Sequence, residues 1–299
     1  MHDTDLNRPP VNPYAAILAG VLAAAFSSIF TKLADAPPLI IAFYRMLFTV
    51  LILTPFVVKN GIRQIKEMKG GDLGLACLAG VFLALHFSFW ITSLNYTSIA
   101  SSTVLVTLQP LFVISGGYLF YGEKIAPRGA GGAVLALAGS LLIGIGDFQI
   151  GGKALLGDLL AFAGGFFVAG YVLIGRGLRN RLELIPYVYV VYTATAALLF
   201  LGNAAVYSDP LGPYPAMTWL WFAALALIPT IMGHTVFNWA LRYVKAAVVS
   251  VSILGEPVGA TILAFFIFGQ VPGMLQLIGG LSILLGLALF ISSTSGASR

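Results

Sequence analysis

The chain has 299 residues, of which 59% are hydrophobic and only 9% are charged. A water-soluble domain carries about 25% charged residues, so this composition excludes a soluble enzyme. The formal net charge of +5 comes from basic residues scattered between apolar blocks, which argues against a nucleic-acid partner. Cys77 is the single cysteine, so a disulfide framework and a cysteine-based zinc site are excluded as well. The composition indicates an all-α integral membrane protein.

Long apolar runs divide the chain into ten predicted membrane-spanning helices. A helix that crosses the hydrocarbon layer needs about 20 apolar residues. Charges, prolines and glycines mark the ends of the runs. The predicted spans lie near residues 13–33, 38–59, 72–95, 98–121, 128–147, 155–178, 185–207, 216–241, 245–268 and 273–293. β-Barrel strands are disfavoured because the runs do not alternate with a period of two.

The basic residues near the span ends predict the orientation. With the N-terminus inside, thirteen of them fall on the cytoplasmic side, and only Lys32 and Lys153 fall outside. Basic residues accumulate in cytoplasmic connections. We therefore expect a multi-pass protein of the bacterial inner (plasma) membrane with both termini in the cytoplasm.

Span 2 contains an ionisable side chain, Arg45, at membrane depth. Such a group costs about 3 kcal/mol or more unless it is paired or hydrated, so it is a candidate for function. The Arg45 guanidinium is expected either to bind a substrate carboxylate through its planar fork or to form a structural pair with Glu256 or Asp35. Tyr44, next to Arg45, is a candidate for the wall of a binding pocket.

Spans 3 and 8 each carry one histidine, His86 and His234. Trp90 lies one helical turn from His86 and shares its face, and Trp239 lies near His234. All four are candidates for substrate contact, and the histidines also for proton transfer; helix-to-helix hydrogen bonding and packing are the alternatives. Neither histidine has a His, Cys or carboxylate three or four residues later, so no metal site is expected, and no cofactor is expected either.

The second half of the chain repeats the first with a shift of 147 residues. The matched pairs are Leu94 with Leu241, Tyr96 with Tyr243, Pro110 with Pro257, Gly122 with Gly269, Gly132 with Gly279, and Gly139 with Gly286. Each unit has five spans, an odd number, so the second unit must lie inverted in the bilayer. Inverted repeats are the architecture of many secondary transporters, whose binding site lies near the midplane between the halves.

The repeat also predicts the domain organisation. The expected parts are a cytoplasmic tail at 1–12, a first five-helix repeat at 13–147, an inverted second repeat at 148–293 and a cytoplasmic tail at 294–299.

Glu256 lies about halfway along span 9, directly before Pro257. Proline removes a backbone donor, so carbonyls near residue 253 are expected to be free beside this carboxylate. A carboxylate at that depth can bind a proton, an amine or a cation; a hydrogen-bonded tie between two helices is the alternative. Gln109, the repeat mate of Glu256, lies beside Pro110 and is a candidate for substrate contact.

Small residues at helical spacing predict close approach of helices. The glycines assigned to packing are Gly132, Gly139, Gly255, Gly259, Gly279 and Gly286.

Several motifs occur in the same order in both repeats. They are Leu108-Gln109-Pro110-Leu111-Phe112 and Tyr121-Gly122-Glu123-Lys124 in the first, and Gly255-Glu256-Pro257-Val258 and Phe268-Gly269-Gln270 in the second. Together with Arg45, they resemble the drug/metabolite transporter superfamily, specifically bacterial transporters with two EamA-type domains, over roughly residues 15–293. The family usually has Gly-Glu where this chain has Gly269-Gln270, which suggests that Glu123 acts on the cytoplasmic side alone.

The resemblance implies ten helices in a 5+5 inverted repeat that export or exchange small metabolites, such as amino acids or amphipathic organic compounds, by alternating access at a central cavity. The expected partners are a small-molecule substrate, the lipid bilayer and a proton or counter-substrate; a monomer and a homodimer both stay open. A membrane-embedded transferase is one alternative, although the acids are sparse. A channel or scaffold subunit is another, and it would leave the inverted repeat and Glu256 without a role.

Overall fold

The computed structural model describes residues 9–145, 152–209 and 211–295. Of the expected tails at 1–12 and 294–299, residues 1–8 and 296–299 lie outside the described residues, as does the expected boundary between the repeats at 147–148. Within these ranges the ordered elements are helices, and no strand occurs.

Ten apolar helices are long enough to cross a membrane, which confirms the predicted number and order. They are α1 (Pro13–Leu33), α2 (Pro38–Lys66), α3 (Gly70–Ser93), α4 (Ile99–Tyr121), α5 (Pro127–Gly144), α6 (Gly152–Arg179), α7 (Leu184–Val206), α8 (Ala216–Ala240), α9 (Ala246–Phe268) and α10 (Met274–Thr294).

Helix α2 continues beyond its predicted end at residue 59. It is α-helical over Pro38–Phe56, forms a π-helical segment over Val57–Gly61 and resumes as α-helix over Ile62–Lys66. Pro55 precedes the irregular segment, and a proline inside a helix disturbs the hydrogen bonding of the neighbouring turn. The last turn is polar and exposed, so the prediction from apolar runs missed it.

Helices α4 and α9 are interrupted at matching positions of the repeat. Helix α4 consists of Ile99–Val106 and Pro110–Tyr121. Helix α9 consists of Ala246–Ile253 and Glu256–Phe268. A proline at the start of each second half lacks the N–H that a continuous helix would need. The expected interruption beside Glu256 is therefore present, together with its counterpart in the first repeat.

The connections between helices alternate between two faces of the bundle. One face, which we call the basic face, carries the connections after α2, α4, α6 and α8. There Arg181 pairs with Asp72 at 2.8 Å. The connections after α1, α3, α7 and α9 lie on the opposite face, where the Thr97 hydroxyl donates to Asp158 Oδ1 at 2.7 Å. This alternation is what an inverted pair of five-helix units requires.

Helices α5 and α10 pack through the predicted glycines. A Cβ atom built on Gly132 would lie 2.7 Å from the carbonyl oxygen of Gly286, and one on Gly139 would lie 2.6 Å from that of Gly279. Because real Cβ contacts are almost never shorter than 3.0 Å, only glycine permits this approach of the two backbones. Helices α5 and α10, which occupy matching positions of the two repeats, thus meet each other at the pseudo-symmetry axis.

Helix α9 approaches α1 in a similar way. A Cβ on Gly259 would lie 2.6 Å from the Cβ of Ala25, and one on Gly255 would lie 3.2 Å from Cγ1 of Val21. This contact holds the interruption of α9, and with it Glu256, against the first repeat.

Candidate functional site

A cavity of about 40 Å³ lies between the two repeats, beside the interruptions of α4 and α9. This volume holds only a few water molecules. Helices α1, α2, α3, α4, α6, α8 and α9 all contribute to its wall. The polar and aromatic lining residues are Ser27, Arg45, His86, Trp90, Thr107, Gln109, Tyr171, His234, Phe237, Asn238 and Glu256.

Six of the eight candidates from the sequence line this cavity. They are Arg45, His86, Trp90, Gln109, His234 and Glu256. The structure thus brings together side chains from five helices that are up to 211 residues apart in the chain. Tyr44 and Trp239 do not line it.

The Arg45 guanidinium is completely buried and is held by two hydroxyl groups. Its Nε donates to Thr230 Oγ1 at 2.7 Å, and its Nη1 donates to Ser27 Oγ at 2.8 Å. Its Cζ lies 4.3 Å from the centroid of the Phe87 ring, within the range of a cation–π contact. Arg45 forms no ion pair within 4.0 Å with an acid that the structure describes, Glu256 and Asp35 included.

Aromatic rings form one wall of the cavity. The His86 and Trp90 rings are stacked, with centroids 5.9 Å apart and planes 4° apart. The His234 ring lies 6.2 Å from His86 and 6.2 Å from Tyr171, centroid to centroid. His86 Nδ1 is 3.0 Å from the carbonyl oxygen of Gly164, which anchors this ring to α6.

Gln109 and Glu256 enter the cavity from the interruptions of α4 and α9. The two residues are repeat mates, and they are placed symmetrically by the two proline breaks. Gln109 is 3% exposed, whereas Glu256 is half-buried. A residue at such an interruption lies where the backbone no longer fills the space, so its side chain can reach the midplane from either repeat.

Several buried polar atoms on the cavity wall have no hydrogen-bond partner in the protein. The donors among them are Arg45 Nη2 and Trp90 Nε1; the acceptors are Gln109 Oε1 and Asn238 Oδ1. A buried polar atom without a partner costs about 1–3 kcal/mol, so groups left in this state are candidates for ligand binding. The cavity therefore presents free donors, free acceptors and one carboxylate to whatever enters it.

The sequence did not point to Tyr171 or Asn238, which complete the wall on α6 and α8. Asn238 Nδ2 donates to the carbonyl oxygen of His234 at 2.7 Å and also to the Tyr171 hydroxyl. An isolated polar side chain in an apolar span was the available signal for both residues, but it does not reveal which face of the helix is buried.

Helix α8 is π-helical over Ala226–Thr235, a segment that contains Pro229 and His234. The Thr230 hydroxyl, which binds Arg45, donates to the carbonyl oxygen of Leu225, five residues earlier. π-Helical turns are rare and occur frequently at functional sites. Here the wider turn places both Thr230 and His234 toward the cavity region.

Tyr44 belongs to an aromatic cluster near the opposite face. Its hydroxyl donates to the carbonyl oxygen of Leu211 at 2.7 Å, and its ring stacks on Phe222 with centroids 5.0 Å apart. Trp239 instead packs on Tyr243 at 4.9 Å, centroid to centroid. Both side chains have packing partners of their own, away from the cavity.

The part of the chain that the structure describes contains no group of three or more His, Cys, Asp or Glu residues that could hold a metal ion. The cavity wall itself has one carboxylate and two histidines, without a thiol. Its chemistry is that of recognition by charge and hydrogen bonds.

Ten apolar helices in two inverted halves, around a polar cavity at the break of two helices, define the protein as a multi-pass membrane transporter. The chain belongs to the EamA-like transporter family, whose profile matches it twice, over residues 12–145 and 155–292. This match confirms the family resemblance and the two repeats. It also indicates a transporter rather than an enzyme.

Individual relatives and a solved structure agree with this family. An uncharacterized transporter of Archaeoglobus fulgidus is 26% identical over 277 residues, which are 91% of this chain and 93% of that protein. A probable terminal-alkyne amino-acid exporter of Streptantibioticus cattleyicolor is 24% identical over 81% of each chain. A crystal structure with 19% identity has a similar fold, with a TM-score of 0.77 over 96% of this chain and 99% of that one.

Proposed function

We propose that the protein is a secondary transporter that moves amino acids and related small zwitterions by alternating access at the central cavity, as an exporter or an exchanger. The observation that carries this proposal is the pairing of free donors with free acceptors around one cavity at the break of α4 and α9. The amino-acid exporter among the relatives supports the same substrate class.

The charges of the cavity fit the two ends of an amino acid. A carboxylate can accept from Arg45 Nη2 and Trp90 Nε1, and a charge-assisted bond to a guanidinium is among the strongest that proteins make. An ammonium group can donate to the Glu256 carboxylate and to Gln109 Oε1. The apolar and aromatic remainder of the wall suits an apolar side chain.

The small volume of the cavity supports a transport cycle in which the walls of the cavity move apart. At about 40 Å³ it is too small for an amino acid, so the repeats must separate before a substrate enters. In transporters with inverted repeats, one half rocks against the other around a fixed central site. The interrupted helices α4 and α9 are the elements that such a movement would displace.

Glu256 is the proposed coupling residue. The other titratable side chains that line the cavity are Arg45, His86, Tyr171 and His234. A carboxylate beside them can hold a proton in one state and a substrate ammonium in the other, so that proton and substrate exchange across the membrane. The two histidines are the next candidates for this role.

The basic face is proposed to lie in the cytoplasm, with both termini on that side, in a bacterial inner membrane. The positive-inside bias supports this orientation, because the connections at this face carry almost all the basic residues.

The binding experiment uses purified protein in detergent and three forms of one apolar amino acid. Leucine, leucine methyl ester and N-acetyl-leucine differ only in whether the carboxylate or the ammonium group is charged. We expect leucine to bind at least about tenfold more tightly than either derivative in calorimetric titrations, since each derivative loses a charge-assisted bond. Equal binding of the methyl ester would contradict the zwitterion site and favour an organic cation.

A further inference from the structure

The Glu123 carboxylate ties the two repeats together at the basic face. It accepts from Arg176 Nε at 2.8 Å and from the backbone N–H of Ala246 at 3.1 Å. Glu123 follows α4 in the first repeat, whereas Arg176 ends α6 and Ala246 begins α9 in the second. The Glu123 side chain is only 7% exposed, so the contact is largely withdrawn from water. We call these three groups the latch.

The opposite face has a different cation, Lys32, in a similar place, but the carboxylate is missing. Arg176 Nη1 donates to the carbonyl oxygen of Leu241 at 2.8 Å, and Lys32 Nζ donates to that of Leu94, its repeat mate, at 3.1 Å. Lys32 forms no ion pair within 4.0 Å with an acid in the described ranges. The position that matches Glu123 is Gln270, which is exposed.

The backbones at the two faces are alike, so the presence of the latch at the basic face alone depends on the side chains. Gly122 and Gly269 end their helices in the left-handed conformation, with φ of 63° and 66°. A Cβ atom on Gly117 would lie 3.3 Å from Glu123 Oε2, so the carboxylate folds back over this glycine. The second repeat has Ala264 at the matching position, so the two repeats differ in sequence beside this helix end.

The packing between the repeats also differs at the two faces. At the opposite face, a cavity of about 770 Å³ is lined by Lys32, Gln270, the start of α4 and the second half of α9. The start of α4 is half-buried there, at Ile99 and Ala100. At the basic face, the matching start of α9 is fully packed, with Ala246 at 0% exposure. The contact between the repeats is thus fully packed at the latch and leaves a cavity at the opposite face.

We propose that Glu123 is a positioning residue for transport: its latch holds the basic face closed while the opposite face is open, and Gln270 leaves the opposite face without a matching latch. The inference depends on the proposed alternating access, because a latch has a function only if both faces open in turn.

The test measures the accessibility of two cysteines at matching positions, each introduced singly in a Cys77→Ala background. Ala260→Cys lies in the wall of the opposite-face cavity at 4% exposure, and Val113→Cys is its repeat mate, at 0% exposure. The rate of maleimide modification is followed on purified protein in detergent, so membrane orientation does not affect the result. Glu123→Gln is expected to raise the rate at Val113→Cys by about fivefold or more and to lower the rate at Ala260→Cys.

Two further variants separate the latch from a general loss of structure. Gly117→Ala keeps the charge, but its methyl group would lie 3.3 Å from Glu123 Oε2 and crowd the carboxylate, so it is expected to shift both rates in the same directions as Glu123→Gln, and by less. Glu183→Gln removes an exposed pair with Arg242 at the same face and is expected to change neither rate.

Unchanged rates in both Glu123→Gln and Gly117→Ala, while leucine still moves the two rates in opposite directions, would overturn the latch and leave alternating access intact. If no variant and no ligand ever moves the two rates in opposite directions, alternating access itself is wrong. If Glu123→Gln does not fold, Gln270→Glu provides the test instead. This variant supplies the missing carboxylate at the opposite face and is expected to slow modification at Ala260→Cys.

Discussion

Two arginines are buried within the helix bundle, and their contacts differ in kind. Arg45, at 0% exposure, is held by two hydroxyl groups and keeps Nη2 free. Arg179, at 1% exposure, donates to the backbone carbonyl oxygens of Asn238 and Leu182. Side-chain hydroxyl groups can orient a guanidinium while the helices that carry them continue, whereas free backbone carbonyl groups occur where a helix ends. Arg45 therefore keeps one donor without a partner in the protein, whereas Arg179 binds backbone carbonyl oxygens.

Replacement of Arg45 by lysine is expected to weaken amino-acid binding by about tenfold or more, with little loss of folded protein. A lysine keeps the charge but cannot bind Ser27, Thr230 and a carboxylate at once, because its ammonium group lacks the planar fork. Calorimetric titration with leucine measures the affinity, and thermal unfolding measures the stability. Arg179→Lys is the matched control: it should lower stability and leave the affinity unchanged. Normal binding by Arg45→Lys would refute the recognition role.

Glu256→Gln is expected to fold and to bind the substrate more weakly, and its transport should no longer respond to a pH gradient. The amide keeps the size of the side chain and reproduces the residue at Gln109, but it cannot take up or release a proton. Uptake into proteoliposomes with an imposed pH gradient, in either direction, measures the coupling. An unchanged pH profile would make Glu256 a structural residue, and the search for the coupling group would move to His86 and His234.

Helical geometry explains which candidate residues the sequence placed correctly. Trp90 lies four residues after His86, on the same face, and the two rings are stacked in the structure. Tyr44 is adjacent to Arg45 in sequence, so it points about 100° away around the helix. Trp239 follows His234 by five residues and points about 140° away. Nearness in sequence was therefore a poor guide, and spacing by one turn was a good one.

The α5–α10 contact gives a sharp test at the level of helices. Gly139→Ala would place its methyl carbon 2.6 Å from the carbonyl oxygen of Gly279, so the backbones must separate. We expect a loss of about 1–3 kcal/mol in unfolding free energy, the usual cost of overpacking. Thermal unfolding in detergent measures it.

Gly131→Ala is the control on the same helix, because nothing lies within 4 Å of a Cβ at that position. Alanine favours helix over glycine by about 1 kcal/mol, so this variant should be neutral or slightly more stable. Equal effects of the two substitutions would show that helix propensity, and not the close contact with α10, determines the result.

Only some of the irregular helical segments could be predicted from the sequence. Pro110 and Pro257 occur at matching positions of a repeat, which marked the interruption of α9 before the structure was known. Pro229 has no such mate, and its π-helical segment was not predicted. A proline in an apolar span indicates that a helix is disturbed, but only tertiary packing decides whether it breaks, bends or widens.

The whole-molecule orientation is tested with single cysteines in a Cys77→Ala background. Gln64→Cys lies on the exposed end of α2 at the basic face, and Leu211→Cys lies in the connection before α8 at the opposite face. In intact cells, a membrane-impermeant maleimide should label Leu211→Cys and leave Gln64→Cys unlabelled. Lysed cells, in which both should react, serve as the control. The reverse pattern in intact cells would invert the proposed topology.

At the scale of the molecule, the sequence predicted ten helices and the inverted repeat because both depend on strong, additive signals: run length, charge bias and paired prolines. It could not predict which end of the path is closed. That depends on small differences between the repeats, such as Glu123 against Gln270, whose effect exists only once the two repeats are in contact.

Trp90 is an intrinsic fluorescent probe of the central cavity. Of its four tryptophans, it alone lines the central cavity, with its indole stacked on the His86 ring. In a Trp219→Phe, Trp221→Phe, Trp239→Phe background, the remaining tryptophan emission comes from the central cavity. Entry of a substrate that separates the two rings should change its intensity and wavelength within a single turnover. Stopped-flow fluorescence can then time the opening of the cavity in unlabelled protein, before any solute has crossed the membrane.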